Sequence, residues 1–140
     1  MLDTNRSIHH LSDYKGKVLV FDFWFTGCGN CRELAPKLKL VEEQFKKNDK
    51  VVFISISSDK DIKLWKNSIT SGLYTTSSDE VNLYSGGKGI ADPLFQKTNF
   101  QAAPTLRLVD KNGYWCDMPV DCRTDDGKDL IAKINQALKN

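Results

Sequence analysis

Long apolar runs are absent from this chain. None approaches the roughly 20 residues that a membrane-crossing helix requires. The opening "MLDTNRSIHH" also lacks an apolar stretch of the length a signal peptide needs. Charge of one sign is missing too: 20 basic side chains stand against 18 acidic ones, for a net charge of +2. Such balance argues against nucleic acid or an anionic membrane as the partner. Histidine is reduced to His9 and His10, adjacent and near the terminus. Four cysteines in 140 residues are too few for a miniprotein held together by disulfides. Their even number fits an oxidising compartment without establishing one. There is no internal repeat and no low-complexity tract.

What remains is an ordinary globular composition, 40% hydrophobic and 27% charged, in a chain long enough for one core and one domain, residues 1–140. "KVLVFDF", residues 17–23, reads as a strand buried on both faces. "NCRELAPKLKLVEEQFKK", residues 30–47, reads as a helix. Its Leu34, Leu38, Val41 and Phe45 recur at three- and four-residue steps, and Pro36 predicts a kink. "KVVFISIS", residues 50–57, is a second buried strand. Strand, helix and strand in this order predict a right-handed βαβ unit with a parallel pair.

A helix over Lys60–Thr70 follows, capped by Ser58 or Asp59, with Ile62, Leu64, Trp65 and Ile69 as its apolar positions. Residues 71–91, rich in Ser, Thr and Gly, read as irregular. Its "SGGKG" lacks the spacing and the strand-to-helix setting of a phosphate loop. "DPLFQKTNF" predicts a short helix with Asp92 as cap and Pro93 in its first turn. "TLRLV", 105–109, predicts a strand central in the sheet, "DKNG" a turn using Gly113, and "YWCDMPV", 114–120, the antiparallel partner. "GKDLIAKINQALKN" closes the chain as a helix with Leu130, Ile131, Ile134 and Leu138 inward. The expected class is α/β: a mixed central sheet with helices on both faces.

The chemistry concentrates in "FDFWFTGCGNCRELAP", residues 21–36. Cys28 follows a buried strand and Cys31 falls in the first turn of a helix. The partial positive charge and free N–H groups there favour a thiolate, and can bring a cysteine pKa from about 8.5 into a range of about 3.5–7.5. A thiolate is the attacking species in disulfide exchange. The three-residue spacing lets the second sulfur resolve a mixed disulfide made by the first. Zinc would need four ligands, and Cys116 and Cys122 have the wrong spacing for a second knuckle. A purely structural bridge of such short span would remove little chain entropy. Asp22 interrupts the apolar strand on the face opposite Phe21 and Phe23. Buried there, it would carry a raised pKa and could move protons during exchange, whereas at a strand end it would simply reach water. Pro104, directly before a strand, is a candidate for a cis bond in a functional turn.

These residues resemble the active-site segment of thioredoxin-fold proteins. Trp24 stands where that family's tryptophan precedes the motif. Asp22 matches its buried acid, Cys28 the attacking cysteine, Cys31 the resolving cysteine and Pro36 the kink proline. "APT", with Ala103 and Pro104, matches the cis-proline loop that receives a substrate peptide. Within the superfamily the chain is most similar to bacterial TlpA/ResA-like thiol–disulfide oxidoreductases, from about Leu11 to Leu138. "LSDYKGKVLVFDFW" resembles their short helix, Gly-Lys and strand. Residues 59–99 resemble their insertion before the cis-proline.

The resemblance implies a thioredoxin-like fold and dithiol–disulfide exchange on protein substrates, more as a reductant, without organic cofactor or metal. Cys28, Cys31 and Asp22 would carry the chemistry, with Cys28–Cys31 as the redox-active disulfide. Trp24, Ala103 and Pro104 would shape the docking surface. It further implies a monomer that works in the periplasm or cell envelope with an upstream redox partner, and a domain cut from a longer chain, since the usual N-terminal hairpin is short. Gly29-Asn30 stands where thioredoxin has Gly-Pro, and thioredoxin's lysine partner for the acid has no equivalent beyond Ser55. Cys116 and Cys122 lie outside the motif; a second disulfide, free thiols and partner binding all stay open for them. Three other readings compete: a redox-inert binding module on the same fold, a thiol peroxidase, and a copper chaperone of related fold, whose usual pairing of Cys-x-x-x-Cys with a distant histidine is not in this sequence. The second would want Thr-x-x-Cys, whereas Thr26 lies two residues before Cys28.

Overall fold

The computed structural model describes residues 1–77 and 79–140; Ser78, inside the stretch read as irregular, lies outside the described residues. A 3-10 turn, Leu11–Tyr14, leads into β1 (Val18–Trp24), α1 (Gly29–Phe45) and β2 (Val51–Ser57). β1 and β2 pair in parallel, from Val18 opposite Val51 to Trp24 opposite Ser57, as the βαβ pattern predicts. Then come α2 (Ile62–Ser71), β3 (Val81–Tyr84), α3 (Pro93–Lys97), β4 (Thr105–Val109), α4 (Cys122–Asp125) and α5 (Lys128–Lys139). The sheet runs β3-β2-β1-β4, with β3 parallel to β2 and β4 antiparallel to β1.

β1 is buried along its whole length because both of its faces are covered. Val18 and Val20 point into a core built with Leu34, Leu38 and Val41 of α1 and Leu130 and Ile134 of α5. Leu19, Phe21 and Phe23 point the other way, against Ile54, Ile56, Leu83 and Phe95. Strand alternation therefore puts Asp22 on the side of Val18 and Val20, under α1. Trp24, Cys28, Cys31, Trp65, Tyr74 and Tyr84 form a third cluster at the end of the sheet.

Five expectations are corrected. Residues 71–91 are not wholly irregular, because Val81–Tyr84 forms the edge strand β3. Only four residues long and interrupted by Asn82, β3 is specified by pairing with β2 rather than by local pattern. β4 is the other edge strand of the four, not a central one. Residues 114–120 do not return as a full strand. The turn forms, with the Gly113 N–H donating to the Asp110 carbonyl at 3.0 Å, but only Trp115 bridges back, to Val109. Beyond it Met118 and Val120 are exposed, and Pro119 has no N–H for a ladder. α2 begins later than expected and is capped by Asp61, which accepts from the Lys63 N–H at 2.8 Å, so Ser58 and Asp59 are not its cap. Leu64 consequently faces solvent, while Trp65 is buried. α3 has the expected Asp92 cap and Pro93 start, and α5 turns Leu130 and Ile134 fully inward, with Ile131 and Leu138 partly buried.

Candidate active site

The loop after β1 delivers Cys28 to the N-cap position of α1, and the helix geometry places Cys31 three residues on. The two are joined by a disulfide with an S–S distance of 2.05 Å. The Cys31 N–H donates to Cys28 Sγ at 3.1 Å, so a free backbone donor of the helix N-terminus already points at the leading sulfur. Both cysteines are buried.

The loop itself is tied down by residues that sequence reasoning missed. Asp59 accepts from the Thr26 N–H at 3.0 Å and from the Thr26 hydroxyl at 2.6 Å. The Gly27 N–H donates to the Tyr74 hydroxyl at 2.8 Å, and the Tyr74 ring stacks on Trp24 with centroids 4.8 Å apart. The sequence pattern offers Asp59 as a helix cap and Tyr74 as part of an irregular stretch. A carboxylate just past a strand was a signal for either use, and only the fold decides between them.

Trp24 is not on the surface, contrary to its expected role in docking. It is fully buried, and its indole N–H donates to Ser55 Oγ at 2.6 Å. Strand pairing covers its backbone and Tyr74 covers its ring, so it forms the floor of the site. The exposed aromatic is its neighbour Phe25. The Ala103–Pro104 bond is cis, and Ala103 packs against the cluster that contains both sulfurs.

Asp22 is buried, and its Oδ1 has no hydrogen-bond partner. Burial pushes its carboxyl up to about 7. Ser55, directly across the β1/β2 pair from Asp22, accepts the indole N–H of Trp24. Cys116 and Cys122 are both free, so no second disulfide joins them. Cys122 lies in the core under α1 and α5, where burial and the charges of Asp125, Asp121 and Asp22 push its thiol up to about 12. Among the described residues no group of three or more His, Cys, Asp or Glu side chains is placed to hold a metal ion. No helix there is long and apolar enough to cross a membrane.

Comparison with known proteins gives the same picture. The thioredoxin domain of a thiol-disulfide oxidoreductase from Bacteroides vulgatus superposes with a TM-score of 0.79, covering 98% of this chain and 90% of that one; at 24% identity the likeness is one of fold. A thiol:disulfide interchange protein from Bacteroides sp. gives a TM-score of 0.73 at 26% identity, covering 99% of this chain and 84% of that one. Thioredoxin from Echinococcus granulosus is 46% identical over 44 residues, which are 31% of this chain. That match spans 38% of the Echinococcus protein, well under half its length. A family model described as thioredoxin-like matches residues 16–115, which hold β1, the cysteine pair, the cis-proline and β4. With the four-stranded sheet and the disulfide at the start of α1, this match makes the chain a member of the thioredoxin-like family.

Proposed function

We propose that the chain is a thiol–disulfide oxidoreductase that exchanges disulfides with protein substrates through Cys28 and Cys31, and that it runs as a reductant. One observation carries the reading: the Cys28–Cys31 disulfide sits at the N-terminus of α1 with the cis-proline loop packed beside it. In the reduced protein the Cys28 thiolate attacks a substrate disulfide. A Cys28–substrate bond forms and one substrate sulfur leaves. Cys31 then gives up its proton, attacks Cys28 Sγ and releases the second substrate sulfur. The substrate gains two electrons and the enzyme closes its disulfide. Asp22 takes the proton from Cys31. Phe25, Ala103 and Pro104 supply the surface on which the substrate docks.

Electrostatics supports that direction. A strongly oxidising dithiol is one whose reduced form is specially stabilised as a thiolate. Here the helix N-terminus and one amide favour the thiolate, whereas an ionised Asp22 beneath the same helix opposes it. Resemblance to the TlpA/ResA-like proteins supports a working compartment in the periplasm or cell envelope, with an upstream dithiol donor and a monomeric enzyme.

Cys28→Ser should abolish reduction of a protein disulfide such as those of insulin. Cys31→Ser should instead accumulate a covalent enzyme–substrate adduct that dithiothreitol releases. Full turnover by Cys28→Ser would sink the assignment and leave a redox-inert binding module on the same fold.

A further inference from the structure

A polar row crosses the sheet beneath α1. Asp22 of β1 stands opposite Ser55 of β2, and Ser55 opposite Asn82 of β3. Glu80, two residues before Asn82, lies on the same face and is only 6% exposed. Among the described residues no cation joins this row. Three of its buried oxygens, Asp22 Oδ1, Glu80 Oε1 and Asn82 Oδ1, lack a hydrogen-bond partner. The other Glu80 oxygen, Oε2, accepts from the Thr76 N–H at 3.0 Å. Unpaired buried carboxyl oxygens are costly when ionised, and a carboxyl in that position is best satisfied by holding its own proton.

Glu80 also borders the outside. Together with Asn82, Thr76 and Ser77 it lines an open cleft of about 670 Å³, whose charged groups are Lys39 of α1 and the Asp3–His9 pair of the N-terminal segment. The remaining groups that face the row are Glu42 of α1, which accepts from Ser77 Oγ at 2.7 Å and from the Thr76 hydroxyl, and Cys122 of α4, which lies near Asp22. Asp22 lines no part of this cleft.

We propose that Glu80 is the relay residue that carries protons between Asp22 and the cleft. The inference rests on the dithiol-exchange reading. When Cys31 attacks Cys28 Sγ, its proton goes to the Asp22 carboxylate. Glu80 starts protonated and first releases its proton to water in the cleft. Asp22 then passes the Cys31 proton through water to the Glu80 carboxylate, and both acids return to their starting state. The Cys31–Cys28 bond forms, the Cys28–substrate bond breaks, and the substrate sulfur leaves with the electron pair. Burial, the Asp22 charge and the Glu42 charge all hold the Glu80 carboxyl well above its ordinary range, so it is protonated when the transfer begins.

The test uses 5,5′-dithiobis-(2-nitrobenzoate) and the reduced full chain with Cys116→Ser and Cys122→Ser, followed by stopped flow. The first released thiolate reports attack by Cys28 and the second reports resolution by Cys31. Glu80→Gln keeps an acceptor for the Thr76 N–H but cannot titrate. It should leave the first phase unchanged, slow the second by about tenfold, and remove one inflection from the second phase's pH profile. Glu80→Asp, which keeps a carboxyl, should restore that inflection. An unchanged second phase in Glu80→Gln would overturn the relay. So would equal slowing of both phases, which would mark Glu80 as structural, or an Asp22→Asn variant that resolves at the wild-type rate. If the parent protein shows no first phase, the exchange reading itself fails, and the relay with it.

Discussion

At the scale of a residue, Asp22 makes stability depend on pH in a fixed direction. Its carboxyl titrates near 7 in the fold, against an ordinary 3.8. Between those values the folded chain binds more protons than the unfolded one, so stability falls as pH rises through the window. At about 1.4 kcal/mol per pH unit, the shift corresponds to roughly 4 kcal/mol lost by pH 8. Glu80, whose carboxyl is also held high, pushes the same way. Asp22→Asn should therefore unfold at a clearly higher urea concentration than the parent at pH 8, and at nearly the same concentration near pH 4. An equal gain at both pH values would mean that Asp22 does not titrate in that window. A stability cost at neutral pH is the expected mark of a group kept for proton transfer rather than for folding.

At the scale of an element, two aspartates two residues apart do different jobs, and substitution separates them. Asp61 closes the first turn of α2, so Asp61→Ala should cost about 1 kcal/mol, the usual worth of an N-cap. Its reduction chemistry should stay intact. Asp59 instead fixes Thr26 beside the cysteines; Asp59→Ala leaves the half-buried Thr26 N–H without its acceptor and should cost about 1 kcal/mol. It should also slow disulfide reduction, which urea titration and an insulin assay would reveal together. Gly127, between α4 and α5, is a sharper case. Its φ is +78°, and a Cβ there would collide with Val41 of α1. Gly127→Ala should destabilise by about 2–4 kcal/mol, from left-handed strain plus overpacking. A midpoint within error of the parent's would refute that close approach.

The same elements explain how far the sequence could be read. β1, α1 and β2 were legible because their patterns are local: a continuous apolar run, a helical stripe, a second run. The cysteine pair was legible because its spacing ties it to the helix start. β3 was not, since it is only four residues long, Asn82 interrupts it and its burial comes from pairing with β2. Glu80 was invisible for a related reason. It ends the run "TTSSDE", which reads as solvated, and only the strand that follows carries it under α1. Trp24 was found but misplaced. A tryptophan beside a reactive pair suggests a contact surface, and the ring of Tyr74, fifty residues away, removes it from one.

For the whole molecule, redox state and folding are two sides of one cycle. The difference in stability between the oxidised and reduced chain equals the difference in potential of Cys28/Cys31 between the folded and unfolded chain, at about 1.4 kcal/mol per 30 mV. A reductant is a fold that favours its own disulfide, so its oxidised form must be the more stable. Equilibration of the Cys116→Ser/Cys122→Ser protein against glutathione and dithiothreitol should give a potential near or below about −250 mV, in the range of the most reducing dithiols of this chemistry. Urea unfolding of the same protein should then show the oxidised form melting at the higher concentration, by an amount matching the folded-minus-unfolded potential. The acids set the pH dependence of both measurements. As Asp22 ionises above about pH 7, it opposes a Cys28 thiolate, so the gap between the two forms should widen in favour of the oxidised chain. Asp22→Asn should flatten that widening. A potential above about −180 mV, with the reduced form the more stable, would instead make the protein an oxidant or isomerase. The electrostatic argument from Asp22 would then have the wrong sign for this fold.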